Sequence, residues 1–263
     1  MSNSDSRLWL IGGTKESSQL AKAIACQGIP CLVTVTTNAA KCLYPKTKNL
    51  QIAVLSLDQD TVEKFCQENS IAAILDASHP YAVVISRLAI ASALHRQIPY
   101  LRFEREAVKT QADDLKVISV DSFETLLAGD YLNQSRVLLT VGYKVLPLFR
   151  HWQDRSTLFA RILPSLNSLE VALAAGFSPE RIIALRPPLS VPLEKALWHH
   201  WNISLVVTKA SGTPGGEDIK RTVAAQLGIP LIVIARPVIE YPQQTSQLTV
   251  AIEFCQRNIS KRG

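Results

Sequence analysis

Three passages in this chain share one shape: Cys26-Gln27-Gly28-Ile29-Pro30-Cys31-Leu32-Val33, Arg96-Gln97-Ile98-Pro99-Tyr100-Leu101 and Gln226-Leu227-Gly228-Ile229-Pro230-Leu231-Ile232-Val233. In each, a Pro stops a helix-period segment and starts an apolar run of strand length. In two of them a Gly stands just past the helix, where a positive φ costs little. A helix that hands over in this way to a fully apolar strand is the unit of a parallel sheet with crossover helices. The chain repeats the device from end to end, which makes it an α/β protein.

Apolar runs predict strands at Leu8 to Ile11, Cys31 to Thr36, Leu50 to Leu55, Ile71 to Asp76 and Tyr100 to Phe103. A polar segment from Glu104 to Asp114 then breaks the rhythm and is the expected domain boundary. Beyond it, strands are predicted at Leu115 to Val120, Arg136 to Val141, Leu158 to Leu163, Arg181 to Leu185, Ile203 to Thr208 and Leu231 to Ala235. Two units follow, residues 1–108 and 109–263. A chain of 263 residues, 47% hydrophobic, is long enough to bury a core in each.

The formal net charge is +6, yet Lys and Arg are scattered without a basic run or aromatic interleaving, which argues against a nucleic-acid surface and for a small anionic ligand. The five cysteines form no C-x-x-C pair and are odd in number, so neither a disulfide framework nor a zinc site is expected. No apolar run reaches the roughly 18 residues of a membrane span, and the N-terminus lacks the signature of an export signal. The expectation is a cytoplasmic protein with no membrane partner.

In open parallel sheets ligands gather beyond the carboxyl ends of the strands, so the strand-to-helix turns hold the candidate residues. The first is Gly12-Gly13-Thr14-Lys15-Glu16, half of a dinucleotide-binding glycine pattern at the end of the first strand. Glycines there admit a phosphate close to the backbone, and the following helix N-terminus favours an anion. No acidic residue ends the second strand, where a ribose-binding carboxylate would stand. Thr34, Thr36, Thr37, Asn38 and Lys41 follow instead, groups suited to a 2′-phosphate, which favours NADPH over NADH. Asp76-Ala77-Ser78-His79-Pro80-Tyr81-Ala82 closes the fourth strand, with Pro80 expected in the first turn of a helix; Ser78 and His79 read either as ligand groups or as a helix cap.

In the second unit, Thr140-Val141-Gly142-Tyr143-Lys144 ends one strand, Arg161 the next, and Lys209-Ala210-Ser211-Gly212-Thr213-Pro214-Gly215-Gly216 a third. The last is a second glycine loop opening a helix, with Lys209 beside it to hold an anion. Tyr44-Pro45-Lys46-Thr47-Lys48 formally matches a Tyr-x-x-x-Lys dehydrogenase pair, but Pro45 opposes a helix there and the segment reads as a loop. His199 and His200, adjacent in sequence, point to different helix faces, and no metal site is expected.

The ordered set GGTKES at 12 to 17, DASHPYA at 76 to 82, TVGYK at 140 to 144, RILP at 161 to 164, TKASGTPGG at 208 to 216 and Ala235-Arg236-Pro237 resembles the precorrin-6A reductase family (CobK/CbiJ) of cobalamin biosynthesis over the whole chain. The resemblance implies two Rossmann-like parallel-sheet domains with a cleft between them, NADPH on the first domain, and reduction of one double bond of an anionic tetrapyrrole. It implies that Gly12, Gly13, Thr14 and Glu16 hold the cofactor with Ser78, His79, Pro80 and Tyr81 beside the nicotinamide. Thr140, Gly142, Lys144, Arg161, Lys209, Ser211, Gly212, Gly215 and Gly216 would face the tetrapyrrole. Where the family commonly has Gly-Pro, this chain reads Arg186-Pro187-Pro188, a stiffer turn. No side chain is singled out as proton donor. The rival readings are a nucleotide-sugar oxidoreductase, which needs a catalytic Tyr and Lys pair, and a non-enzymatic NADPH-binding sensor.

Overall fold

A computed structural model describes residues 6–106, 108 and 116–259. The chain divides into two compact units, the first made of residues up to Glu106 together with those from Val238 onward, the second ending at Pro237.

The first unit runs β1 (Arg7–Ile11), α1 (Lys15–Cys26), β2 (Cys31–Val35), α2 (Asn38–Lys41), β3 (Leu50–Val54), α3 (Val62–Glu68), β4 (Ile71–Asp76), α4 (Val83–His95) and β5 (Tyr100–Phe103). The second runs β6 (Val117–Val120), α5 (Phe123–Ala128), β7 (Arg136–Thr140), β8 (Thr157–Ile162), α6 (Leu166–Ala174), β9 (Ile182–Ala184), α7 (Val191–His200), β10 (Leu205–Lys209), α8 (Glu217–Leu227) and β11 (Leu231–Ile234). The chain then returns to the first unit with β12 (Gln244–Thr245) and α9 (Leu248–Asn258).

Every strand pairing among the described residues is parallel, in the orders β12-β5-β4-β1-β2-β3 and β6-β11-β10-β7-β8-β9. The strands read as apolar runs because helices cover both faces: all five residues of β2 and all four of β11 are buried. The Leu115 start expected for the sixth strand lies outside the described residues, as does the boundary segment from 109 to 114.

The repeated helix-to-strand passages close alike. Ile29, Ile98 and Ile229 each donate their amide back to the carbonyl five residues earlier, those of Ile24, Ala93 and Ala224. The residue just before, Gly28, Gln97 or Gly228, sits at positive φ. This is a Schellman cap, so Gln97 adopts the left-handed conformation that glycine fills in the other two. Phe177 and Ile203 repeat the bond to Ala172 and Trp198, behind Gly176 and Asn202.

The expected extent of the second unit, 109–263, is corrected at its C-terminal end. Helix α9 carries an apolar stripe, Ala251, Phe254 and Cys255, and buries it against Leu20, Ala21 and Ile24 of α1 in the first core. Strand β12 extends the same sheet beside β5. Among the described residues no helix is long and apolar enough to cross a membrane.

Candidate functional site

Each sheet has one place where the strand order reverses direction: between β1 and β4 in the first unit and between β7 and β10 in the second. At such switch points the turns leaving neighbouring strands diverge to opposite faces and leave a crevice at the carboxyl edge. The predicted motifs stand there, Gly12 to Glu16 after β1 and Ser78 to Tyr81 after β4, then Thr140 to Lys144 after β7 and Lys209 to Gly216 after β10.

In the turn after β1 the two glycines have different reasons. A Cβ on Gly12 would overlap the Tyr44 hydroxyl and lie 3.0 Å from Val33. Gly13 is held at φ +101° and a Cβ there would meet nothing within 4 Å, so the space beyond it is open. Its amide donates to the Tyr44 hydroxyl at 2.7 Å. Thr14 caps α1 by accepting from Ser17 N, and its own hydroxyl donates to Ala77 O at 2.9 Å, tying this turn to the one after β4. The amides of Lys15 and Glu16 make no hydrogen bond among the described residues and are the helix's free N-terminal donors. Glu16, which would oppose an anion, is paired with Arg105 at 2.9 Å.

The turn after β4 rests on a buried cluster. Asp76, fully buried, accepts from Ser86 at 2.6 Å, Tyr100 at 2.8 Å, Arg102 at 2.9 Å and the Ser78 amide at 2.9 Å. Arg102, 1% exposed, also donates to Ser78 Oγ and Glu104 and lies over the Tyr241 ring. Burial pushes the Tyr100 phenol far up, and the Asp76 charge adds to that. The expected helix start at Pro80 is corrected: α4 begins at Val83. Ala82 N donates to His79 O at 2.7 Å, making residues 79–82 a β-turn with Pro80 in its preferred second place. His79 is exposed and its Nδ1 accepts from Tyr81 N at 3.2 Å, so neither it nor Ser78 caps the helix.

Beyond β2, Thr36, Thr37 and Lys41 are exposed on the same edge with no acidic residue among them; Thr37 caps the short α2 through Ala40 N. Tyr44 and Lys48 lie in the loop after α2, not stacked on a helix, and the Tyr44 hydroxyl is spent on Gly13 and Ser17.

Most backbone donors of the glycine loop after β10 are spent within it, while the amides of Asp218 and Ile219 in the first turn of α8 make no hydrogen bond among the described residues. Ser211 N, Gly215 N, Gly216 N and Glu217 N bond to carbonyls within 209–213, and Gly212 N donates to the Glu217 carboxylate at 2.9 Å. Gly212 and Gly216 occupy positive φ, and a Cβ on Gly215 would overlap the Ser211 hydroxyl. Lys220, 1% exposed, donates to Gly215 O at 2.8 Å and Gly216 O at 3.0 Å, locking the loop from below. Burial, then the Arg161 charge, bring its pKa down to about 7 against the pull of Glu194, Glu217 and Asp218.

Side chains add cationic groups to this edge. Lys209 lies 5.4 Å from the centre of the Phe123 ring, and burial, then the neighbouring Lys144, lower its pKa to about 8. Lys144 is exposed, and Gly142 at φ +82° opens its turn. Thr140 donates its hydroxyl to Val207 O. Arg161 differs from the expected ligand-facing cation: it is 7% exposed and its charge is met by buried Glu194.

Sequence reading did not single out Arg102, Glu194 or Lys220. An Arg inside the apolar strand Tyr100-Leu101-Arg102-Phe103 was the available signal for the first; a buried strand tolerates such a charge only with a partner. Among the described residues no cluster of His, Cys, Asp and Glu could hold a metal ion.

Residues 7–256 match the family described as precorrin-6x reductase CbiJ/CobK. A protein of Synechocystis sp., cobalt-precorrin-6A reductase, is 48% identical over 259 residues, covering 98% of this chain and 99% of its own. The protein of that name from Priestia megaterium is 31% identical, with 88% and 91% covered. The solved structure of CobK precorrin-6A reductase superposes with a TM-score of 0.82 at 24% identity, over 98% of this chain and 100% of that one.

Proposed function

This chain belongs to the precorrin-6x reductase CbiJ/CobK family, and on that premise we propose that it reduces one double bond of the precorrin-6A macrocycle, giving precorrin-6B, at the expense of NADPH. The relatives at 48% and 31% identity act, by their names, on cobalt-precorrin-6A, which supports the cobalt-containing macrocycle as the natural substrate.

The observation that carries the cofactor reading is the turn after β1. Gly13 opens toward the ligand side at φ +101°, the Lys15 and Glu16 amides are unspent, and the turn stands at the switch point of its sheet. Those amides would hold the diphosphate. Thr36, Thr37 and Lys41, none of them acidic, would take the 2′-phosphate. Ser78 to Tyr81, stiffened from beneath by Asp76 and Arg102, would border the nicotinamide. Bound there, NADPH would supply a hydride, with the second hydrogen to be added to the neighbouring carbon as a proton.

For the tetrapyrrole, Lys209, Lys144 and Ser211, after β7 and β10 at the switch point of the second sheet, would meet carboxylate side arms. Lys209, partly desolvated, would hold a carboxylate more strongly than an exposed ammonium does. The test is NADPH oxidation followed under anaerobic conditions with precorrin-6A and with its cobalt form in parallel. Turnover with at least one is expected; none with either overturns the reading.

A further inference from the structure

Tyr44 joins the two halves of the cofactor edge. It lies in the loop between α2 and β3, is 6% exposed, and packs in the first core against β2 and α1. Its amide donates to Lys41 O at 3.3 Å, so it ends the segment that carries Thr36, Thr37 and Lys41. Its hydroxyl reaches the other side, to the turn after β1. There a chain of bonds has one consistent direction. Gly13 N–H donates to Tyr44 Oη at 2.7 Å; Ser17 Oγ donates to Thr14 O at 2.7 Å, leaving the Tyr44 proton for Ser17 Oγ at 2.6 Å. Thr14 N closes the ring by donating to Ser17 Oγ at 3.0 Å. A second tie runs from Ser18 Oγ to Leu43 O.

The same contact explains Gly12. It is glycine because the Tyr44 hydroxyl occupies the place of its side chain, whereas Gly13 is glycine for its backbone conformation and the open space beyond it.

We propose that Tyr44 is a positioning residue for the dinucleotide: by drawing the Gly13 amide inward it turns the Lys15 and Glu16 amides outward, and it sets that diphosphate site in register with the 2′-phosphate site on its own loop. This rests on the reading of the first unit as the NADPH unit. The hydroxyl acts through the turn, and its loss in Tyr44→Phe leaves the ring packing intact.

The experiment measures three quantities on Tyr44→Phe and the unaltered protein: the NADPH dissociation constant, the dissociation constant of 2′-AMP, which carries the 2′-phosphate without a diphosphate, and the melting temperature. The NADPH constant should rise roughly five- to tenfold, the loss of one well-placed hydrogen bond, while 2′-AMP binding stays within about twofold. Ser17→Ala, which removes the acceptor of the Tyr44 proton, should give a smaller loss in the same direction. In a double-mutant cycle, Gly12→Ala should weaken NADPH binding more in the otherwise unaltered protein than in the Tyr44→Phe variant, because its Cβ displaces the hydroxyl. Equal NADPH affinity in Tyr44→Phe overturns the proposal, as does a parallel loss of 2′-AMP and NADPH, the mark of general loosening. If the unaltered protein fails to bind NADPH, the reading of the first unit falls, and this proposal with it.

Discussion

One guanidinium nitrogen of Arg161 donates to both carboxylate oxygens of Glu194, at 2.8 and 2.6 Å, with both side chains almost wholly buried. Trp198 adds its indole N–H to the same carboxylate at 3.0 Å. Breaking such a pair from one side strands a buried charge, which costs far more than the pair contributes. Glu194→Leu should therefore lower the unfolding free energy by about 3–5 kcal/mol, and Arg161→Leu combined with it should recover most of the loss. Chemical denaturation of the three proteins checks this, and a single variant within about 1 kcal/mol of the parent contradicts it.

Lys220 links stability to pH. Its pKa is about 7 in the folded protein against an ordinary 10.5, because burial and Arg161 oppose its charge. Between those values the unfolded chain holds a proton that the folded one has released, so this group's contribution to stability rises with pH through that window. The stability of the parent relative to Lys220→Met should increase from about pH 7 toward about pH 10. Denaturation curves that keep a constant separation across that range would refute it.

Lys209 is the cation proposed for the substrate. If it holds a carboxylate, Lys209→Ala removes a charge-assisted contact of about 1.5–3 kcal/mol, roughly a ten- to hundredfold loss of tetrapyrrole affinity, and leaves NADPH binding alone. Its pKa of about 8 adds a pH signature: affinity should fall as pH rises through that value, and the fall should vanish in the variant. Loss of NADPH binding with tetrapyrrole binding intact would invert the assignment of the two units.

Gly13→Val should do the reverse. At φ +101° a side chain strains the backbone by about 1–2 kcal/mol, and the branched group projects into the open ligand side. NADPH affinity should collapse and tetrapyrrole affinity should not, as titration calorimetry with each ligand would read. Unchanged NADPH binding would place the diphosphate elsewhere.

Much of the fold was legible because its signals are local. Strand runs, their Pro starts and the Schellman closures at Gly28 and Gly228 depend on neighbours within one turn, and the structure extends the same cap to Gln97, Gly176 and Asn202. The motifs at the strand ends were legible for the same reason. The role of Gly12 was not, because its reason is Tyr44, which reaches the turn from 31 residues beyond Gly13.

Residue order was enough to dictate an α/β chain of parallel strands, the Gly caps that close several of its helices, and which turns lie at a carboxyl edge, since periodicity and C-terminal capping are settled within a few residues. The assembled fold decided the rest. Strand order put Asp76 beside Arg102, 26 residues away, and the placing of α7 brought Glu194 to Arg161, 33 residues away. Packing sent α9 back to the first core, because its apolar stripe found its matching face on α1. A buried charge or an apolar stripe announces that it needs a partner, but which partner it meets depends on the path of the whole chain.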